Sequence, residues 1–246
     1  MVNKLLLQSI INKYYLDENE KAKWIIKDNK ITINFISPTQ EVIGTVTHNN
    51  FGMEDCELAV YDTKKLSNLI GITTTEVILE VEKKHKISTK LFISDSTFSS
   101  TYALADPMLI PSSNATANIN EFQATIPLTK ESIGDLIKAK NALSDSDNLT
   151  IITEEDLTER KLCTFRFGDE KGHNNNITLS LEGDIDEIGI ELPFNANTFR
   201  NILKANKDIE EGEMKINSRG LLKFTFKTEE GVKSEYYMAR KEEDTF

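Results

Sequence analysis

The stretch IGIELPFNANTFRNILKANK, residues 188–207, predicts a short strand, a proline stop and then an amphipathic helix. At 100° per residue, one arc of this helix is apolar and holds Phe199, Ile202 and Leu203. A neighbouring arc, about 60° wide, is basic and holds Arg200, Lys204 and Lys207. One side of the helix is therefore expected to pack against a core, while another presents positive charge. A solvated surface helix would look the same, so the interpretation depends on what recurs elsewhere in the chain.

This unit of a helix and short strands recurs four times. Helical patterns begin near Asn3, Asp62, Thr129 and Asn195, among runs of residues rich in Ile, Val and Thr. Asp62 has the position of a helix N-cap, and Thr129 opens a Thr-x-x-Ser start. The segment ADPMLIPSSNATANIN holds two prolines and a polar cluster, which is typical of a linker. The sequence therefore predicts an α+β fold with two similar domains, at 1–106 and 120–246, joined by a connector at 107–119.

Composition limits the class of protein. The chain has 246 residues, of which 39% are apolar and 28% charged, and this predicts a soluble globular protein. Since no apolar run approaches the roughly 18 residues of a membrane span, and since the first residues lack a cleavage motif, we expect an intracellular protein without a membrane partner. Cys56 and Cys163 stand far apart, which favours neither a disulfide framework nor a zinc site.

Positive charge is concentrated in the predicted helices. The net charge is −11, which by itself argues against a nucleic-acid partner. The four helical windows nevertheless carry +7 together, so that the remaining residues carry −18. The third window is the weakest case, because Glu131 and Asp135 dilute its lysines. Four helices sharing one face would give a basic surface with acidic flanks.

Catalytic signatures are missing from the sequence. His48, His85 and His173 stand apart, and the chain has no GxSxG, HExxH, CxxC or glycine-rich nucleotide motif. The acidic strings GDIDEI and TEEDLTE are typical of charged turns. We therefore expect a protein that is not an enzyme and that has no catalytic residues, no metal site and no cofactor.

Several strings resemble the DNA polymerase sliding clamps of the two-domain kind, the class of proliferating cell nuclear antigen and the T-even phage clamps. These strings are CELAVYDTKKLSNLIGI, ALADP, PFNANTFRNILKAN and EYYMARKEED, and the resemblance extends over essentially the whole chain. The AVYD and ADP strings and the terminal Phe246 look closer to the phage branch. A phage relative would be a viral protein working in the host cytoplasm.

The resemblance implies a homotrimeric ring that encircles duplex DNA without reading its sequence. A chain with room for two domains suits a trimer, in which head-to-tail interfaces close on themselves and leave no open sheet edge. The edges expected to pair are 96–104 in the first domain and 176–181 in the second. The expected interface residues are Thr97, Ser99, Thr101, Ala103, Ile177, Leu179 and Leu181.

The same resemblance assigns the basic residues to the hole of the ring. The DNA-facing set is Lys4, Lys13, Lys64, Lys65, Lys138, Lys140, Arg200, Lys204 and Lys207. Lys140 shares the arc of Ile133 and Leu136, which leaves snorkelling of its side chain as an alternative. Cations facing phosphates would guide the ring, and weak contacts would let it slide.

Partners are expected on the outside. In clamps of this kind, DNA polymerase and other clients insert a hydrophobic peptide beneath the linker, and an ATP-driven clamp loader opens the ring. The matching pocket residues are Val42, Met108, Leu109, Ile110, Tyr237 and Ala239. The alternative is that these side chains seal the seam between the domains.

Two other functions stay open on the residues alone. The first is a non-enzymatic ring-forming or structural β-rich viral protein that does not act on DNA. The second is an enzyme with a hidden carboxylate site, which predicts a concave cluster of acids with raised pKa values.

Overall fold

The computed structural model describes residues 1–111, 121–169 and 175–241. The chain divides into two units, Met1–Thr116 with Glu229–Ser234, and Ala117–Thr228 with Glu235–Phe246. Residues 112–119 of the predicted connector and the terminal Phe246 lie outside the described part. The segment Glu229–Ser234 belongs to the first unit although it comes late in the chain.

The first unit contains two helices and two antiparallel sheets. In chain order its elements are β1 (Val2–Asn3), α1 (Lys4–Tyr15), β2 (Ala22–Lys27), β3 (Lys30–Ile36), β4 (Val42–Asn49), β5 (Cys56–Val60), α2 (Thr63–Gly71), β6 (Glu76–Lys84), β7 (Ile87–Ser94) and β8 (Ser99–Ala103). A 3₁₀ turn follows at Pro107–Leu109. One sheet has the order β1-β6-β7-β8, and β4, β3, β2 and β5 are neighbours in the other.

The core of the first unit is built from alternating strand residues and one face of α1. Along β3, Ile31, Ile33 and Phe35 are buried while their neighbours are not, as expected for a strand with one covered face. Tyr14 of α1 meets Trp24 of β2 edge to face, with 6.1 Å between ring centroids. Trp24 is fully buried and belongs to this core.

The second unit repeats this plan. Its elements are β9 (Ala124–Pro127), α3 (Lys130–Ala142), β10 (Asn148–Glu155), β11 (Lys161–Gly168), β12 (Asn176–Glu182), β13 (Asp184–Ile185), β14 (Glu191–Asn195), α4 (Ala196–Ala205), β15 (Ile209–Asn217) and β16 (Leu221–Thr228), followed by the last strand, β17 (Lys233–Ala239). One sheet has the order β12-β11-β10-β14. In the other, β13, β9, β15, β16 and β17 are neighbours.

Phe199 of α4 is the centre of the second core. Its ring centroid lies 5.8 Å from that of Phe165 and 5.7 Å from that of Phe224. Ile202 and Leu203, on the same arc, are fully buried. The apolar face predicted for this helix is therefore confirmed.

Each helix has a polar residue at its N-cap whose side chain accepts backbone N–H groups of the first turn. These residues are Asn3, Asp62, Thr129 and Asn195. Thr129 and Ser132 form a reciprocal capping box, as the Thr-x-x-Ser spacing predicts. Helices α1 and α2 pack together, as do α3 and α4, and the α+β fold class with two helices on antiparallel sheets in each half is confirmed.

The sequence-based boundaries are wrong in three places. Pro193 lies inside β14 instead of ending it. Its carbonyl oxygen accepts from Lys241 N–H, so the backbone polar groups of Pro193 face away from β10. The missing N–H of proline therefore removes no hydrogen bond between β10 and β14. Lys207 lies beyond α4, which ends at Ala205, so helical geometry does not set its direction. The string GDIDEI contains a short strand, β13, because Asp184–Ile185 pairs with β9.

Candidate nucleic-acid interface

Helix α2 of the first unit carries an exposed basic pair in its first turn. Asp62 caps this helix by accepting from Lys65 N–H at 2.8 Å, while Leu66 and Ile70 are buried on its inner face. Lys64 and Lys65 are both exposed on the opposite side. The first turn of α2 therefore presents two ammonium groups to solvent, as predicted.

The ammonium of Lys4, which was expected to face DNA, contacts the end of the neighbouring helix. Its Nζ donates to the carbonyl oxygens of Gly71 at 2.7 Å and Thr73 at 2.6 Å, at the C-terminal end of α2. The last carbonyl groups of a helix lack intrahelical partners and carry partial negative charge. Lys4 thus stabilises the α1–α2 pair by binding carbonyl groups at the end of α2.

In the second unit, α4 and the turn after it carry three cations. Lys204 and Lys207 are exposed, and Arg200 is half-buried. The Arg200 guanidinium donates to Asn201 Oδ1 through Nη2 at 3.0 Å and Nε at 3.3 Å. This contact restricts the direction of the guanidinium on the helix surface.

Lys138 of α3 is exposed but paired. Its Nζ lies 2.8 Å from Asp135 Oδ1, one turn earlier, and this partner raises the pKa of Lys138. An exposed pair of this kind contributes little to stability. It does offset the positive charge of α3, in agreement with the dilution expected from Glu131 and Asp135.

Two of the predicted DNA-facing residues are buried, which corrects the sequence-based assignment. Lys13 and Lys140 are both 0% exposed, so neither ammonium reaches solvent. Lys140 Nζ donates to the carbonyl oxygens of Leu143 and Ser144 just after α3, and burial lowers the pKa of Lys140, with the nearby Arg200 charge adding to the effect. Both lysines stand near helix C-termini, where carbonyl groups can accept from an ammonium.

Both strands expected at subunit interfaces are edge strands of their sheets. β8 ends one sheet of the first unit and β12 ends one sheet of the second. On either side of β8, Asp95 N–H donates to the carbonyl oxygen of Phe98, and Leu104 N–H donates to the carbonyl oxygen of Thr89. These two bonds fix which N–H groups of β8 face β7 and which face the open edge. Ser99, Thr101 and Ala103 therefore direct their N–H groups to the open side. On β12, Ile177, Leu179 and Leu181 are half-buried on one face.

The 3₁₀ turn Pro107–Leu109, called the linker turn below, exposes two large apolar side chains. Met108 is 92% exposed and Leu109 71% exposed. Asp106 orders the turn, since its Oδ1 accepts from Met108 N–H at 2.9 Å. Val42 is 0% exposed and Ile110 is 5% exposed. These two residues therefore do not line an open surface, contrary to the sequence-based expectation. Val42 is the first residue of β4, and its backbone pairs with Ser37 across the turn before that strand.

The remaining two residues assigned to client binding lie on β17. Tyr237 is half-buried, and Lys223 Nζ lies 5.3 Å from its ring centroid. Lys223 also pairs with Glu235 at 2.9 Å, which fixes the ammonium beside the ring. Ala239 is exposed.

Two groups with catalytic potential, Cys163 and His48, have shifted pKa values. Burial raises the pKa of the Cys163 thiol and lowers the pKa of His48. Over the described ranges, no group of three or more His, Cys, Asp or Glu side chains could hold a metal ion. His173 lies outside the described residues. No helix within the described part is long and apolar enough to cross a membrane.

No protein-family model and no curated protein matches the chain. Solved structures do match it over nearly its full length. A. fulgidus PCNA, in the structure titled as bound to the C-terminal region of FEN-1, aligns with a TM-score of 0.77 and 14% identity over 99% of this chain and 98% of that one. The chain has the fold of the PCNA sliding clamps.

Two further PCNA structures agree. Proliferating cellular nuclear antigen from Entamoeba histolytica gives a TM-score of 0.76 at 15% identity, with 98% of this chain and 96% of that chain covered. The PCNA2–PCNA3 complex from Sulfolobus tokodaii gives 0.71 at 17% identity, with 98% of both chains covered. At these identities the likeness to PCNA establishes the fold, and function has to be argued from the residues of this chain.

Proposed function

We propose that this protein is a sliding clamp, a DNA polymerase processivity factor that encircles duplex DNA as a homotrimeric ring. The observation that carries the proposal is the PCNA fold over nearly the whole chain. The exposed cations on α2 and α4, in a chain of net charge −11, supply a second line of support.

The physical mechanism is topological. A closed ring stays on DNA because it is threaded, so it needs neither a tight nor a sequence-specific contact. Lys64, Lys65, Lys204 and Lys207 would face phosphates, which position a protein without reading bases. Each phosphate contact adds affinity that falls with salt, and a small number of contacts permits sliding. The acidic remainder of the surface disfavours binding to DNA outside the hole.

The open edges of β8 and β12 are the proposed junctions. Each would supply unpaired N–H and C=O groups to the opposite edge of the next copy, and this head-to-tail contact closes after three copies. The half-buried Ile177, Leu179 and Leu181 would become covered in the same contact.

The linker turn is the proposed docking point for DNA polymerase and other replication proteins. Met108 and Leu109 stay exposed on an ordered turn, and an exposed apolar pair of this kind is suited to an amphipathic peptide. A separate clamp loader ATPase would open the ring. The AVYD and ADP strings support a phage origin, in which case the protein works in the host cytoplasm.

Native mass spectrometry tests the assembly. We expect a species of three times 27.9 kDa. A monomer at micromolar concentration, or a ring that binds no DNA, would instead favour a structural role for the protein.

A further inference from the structure

A concavity of the second unit lies at the end of the edge strand β12. Its volume is 570 Å³, and every residue that lines it belongs to that unit. The lining is mostly apolar and includes Pro127, Gly183 and Gly212. Since an engineered cavity of about 150 Å³ already holds a benzene molecule, this concavity has room for a phenyl ring.

Three carboxyl groups also line the concavity, and two of them have cationic partners. Glu182 pairs with Arg160 at 3.1 Å, and Glu213 pairs with Lys215 at 3.4 Å. The third carboxyl group is that of Asp184, in β13. Because two of the three negative charges are offset by cations of the same unit, the concavity favours an apolar occupant over a further cation.

The first unit exposes a large apolar side chain beside its own edge strand. Phe98 is 43% exposed and immediately precedes β8. Asp95 orders its turn, since Asp95 Oδ1 accepts from Thr97 N–H at 2.7 Å and from Phe98 N–H at 2.6 Å. The Phe98 carbonyl oxygen accepts in turn from Asp95 N–H at 2.9 Å. A ring on an ordered turn loses little conformational entropy when it becomes buried.

The hydrogen bonds of β12 limit how this strand can pair with another. Asp156 N–H donates to the Arg160 carbonyl oxygen at 3.0 Å, and bonded and non-bonded pairs alternate along antiparallel ladders. This alternation, followed from β10 through β11, identifies which residues of β12 direct their N–H groups to the open side. These residues are Thr178, Ser180 and Glu182. The corresponding residues of β8 are Ser99, Thr101 and Ala103.

The two outward-facing sets match in antiparallel order, which is the order of both sheets. One register then pairs all five residues of β8 and sets Ser99 opposite Glu182, Thr101 opposite Ser180 and Ala103 opposite Thr178. Phe98 comes opposite Gly183, where β12 offers no side chain and the concavity begins. A register shifted by two residues would instead place Phe98 opposite Leu181.

We propose that Phe98 of one copy inserts into this concavity of the next copy and so fixes the register of the β8–β12 junction. Burial of the ring removes apolar surface from water, and its positive edge can face the carboxylates of the lining. Any exposed strand could offer backbone hydrogen bonds to β12, whereas the ring selects a second copy of this chain. The inference rests on the trimer proposed above and deepens it by naming the contact that sets the register.

Disulfide trapping tests the register. Thr101→Cys combined with Ser180→Cys should crosslink copies under mild oxidation, because directly opposite residues of a bonded antiparallel pair have Cα atoms about 5.5 Å apart. Thr101→Cys combined with Thr178→Cys, a pair that would be opposite in the shifted register, is the matched control and should stay reduced. The wild-type chain gives the background from Cys56 and Cys163. Crosslinking of the control instead, or of neither variant, overturns the proposal.

Sedimentation equilibrium over a dilution series tests the contact of the ring. Phe98→Ala should weaken association of the copies by about tenfold, the range of a buried aromatic anchor. Leu157→Ala removes another exposed apolar side chain of the chain, in the turn between β10 and β11, and should associate as the wild type does. Unchanged association of Phe98→Ala overturns the proposal.

Thr125→Phe provides a test from the side of the concavity, which Thr125 lines. Alone, it should weaken association, because the new ring excludes Phe98 of the next copy. Combined with Phe98→Ala, it should associate more tightly than Thr125→Phe alone, since the two changes share one space. Additive losses would show that Phe98 does not enter the concavity.

The clamp function and this contact fail in different ways. A trimeric wild type whose association ignores Phe98→Ala contradicts the contact and leaves the clamp function standing. A monomeric wild type contradicts both.

Discussion

Lys4 Nζ lies 2.7 Å from the carbonyl oxygen of Gly71, so that the first residue of α1 caps the last residue of α2. Replacing Lys4 by methionine keeps the stem but removes the donor. We expect a loss of about 1–2 kcal/mol in the free energy of unfolding, the usual range for a charged hydrogen bond at a helix end. Urea unfolding monitored by circular dichroism measures this change.

Lys27→Met provides the control, because Lys27 is exposed on β2 away from the helices. This variant should unfold within about 0.5 kcal/mol of the wild type, as surface substitutions usually do. Equal midpoints for Lys4→Met and Lys27→Met would mean that the contact with Gly71 does not stabilise the helix pair.

Removal of the exposed lysines of α2 tests the proposed DNA-facing surface. Changing Lys64 and Lys65 to alanine should weaken sequence-independent DNA binding. It should also reduce the slope of log affinity against log salt by about one to two units, since each phosphate that a lysine neutralises contributes about 0.9 to the slope. The trimer should stay intact. Fluorescence anisotropy on duplex DNA over a salt series gives the slope.

Lys140→Met is the buried control for this experiment. Its ammonium is 0% exposed and faces the carbonyl groups of Leu143 and Ser144, so its removal should leave the salt slope unchanged. A larger effect from Lys140→Met than from the Lys64 and Lys65 pair would place the DNA on a different surface.

The open edge of β8 allows a selective test of assembly. Thr101 directs its N–H outward, so Thr101→Pro removes a donor that only a neighbouring copy could use, and it leaves the β7–β8 ladder intact. We expect the native mass to fall from trimer to monomer. Thr101→Val keeps the N–H and should remain a trimer. A trimer that survives Thr101→Pro would exclude this edge as the junction.

Asp95, in the turn before the same edge strand, gives a pH-dependent prediction. The N–H groups of Phe98, Thr74 and Thr97 hold the pKa of Asp95 at about 2, below its usual 3.8. A carboxyl group with a depressed folded-state pKa contributes its full stability above the unfolded value and loses it as pH falls through the folded value. The difference in urea midpoint between wild type and Asp95→Asn should therefore shrink from pH 5 to pH 2. A difference independent of pH would contradict this account.

Periodicity and capping residues carried most of the fold prediction. The four helix starts follow from Asn3, Asp62, Thr129 and Asn195, because each of these side chains can satisfy N–H groups of the turn that it precedes. Pro193 misled the prediction because the tolerance of a strand for proline depends on which side of the residue faces the neighbouring strand, and local sequence does not define that side.

The candidate interface was harder to predict than the fold. Residue type identifies cations, but it does not tell whether carbonyl groups at a helix end will accept from them, as those of Gly71 and Leu143 do. The burial of Lys140 could be predicted from the sequence, since Lys140 shares the arc of the buried Ile133 and Leu136. The contact of Lys4 could not be predicted in this way, because its acceptors lie at the end of a helix far along the chain.

Encirclement itself can be measured without a loader. The protein is incubated with linear duplexes biotinylated at one end or at both ends, and streptavidin is then added to block every biotinylated end. The complex is passed through a sizing column at about 0.3 M salt, where simple phosphate contacts are weak. We predict retention on DNA with both ends blocked and loss when one end is open. Equal retention on both substrates, or retention on neither, would contradict the account.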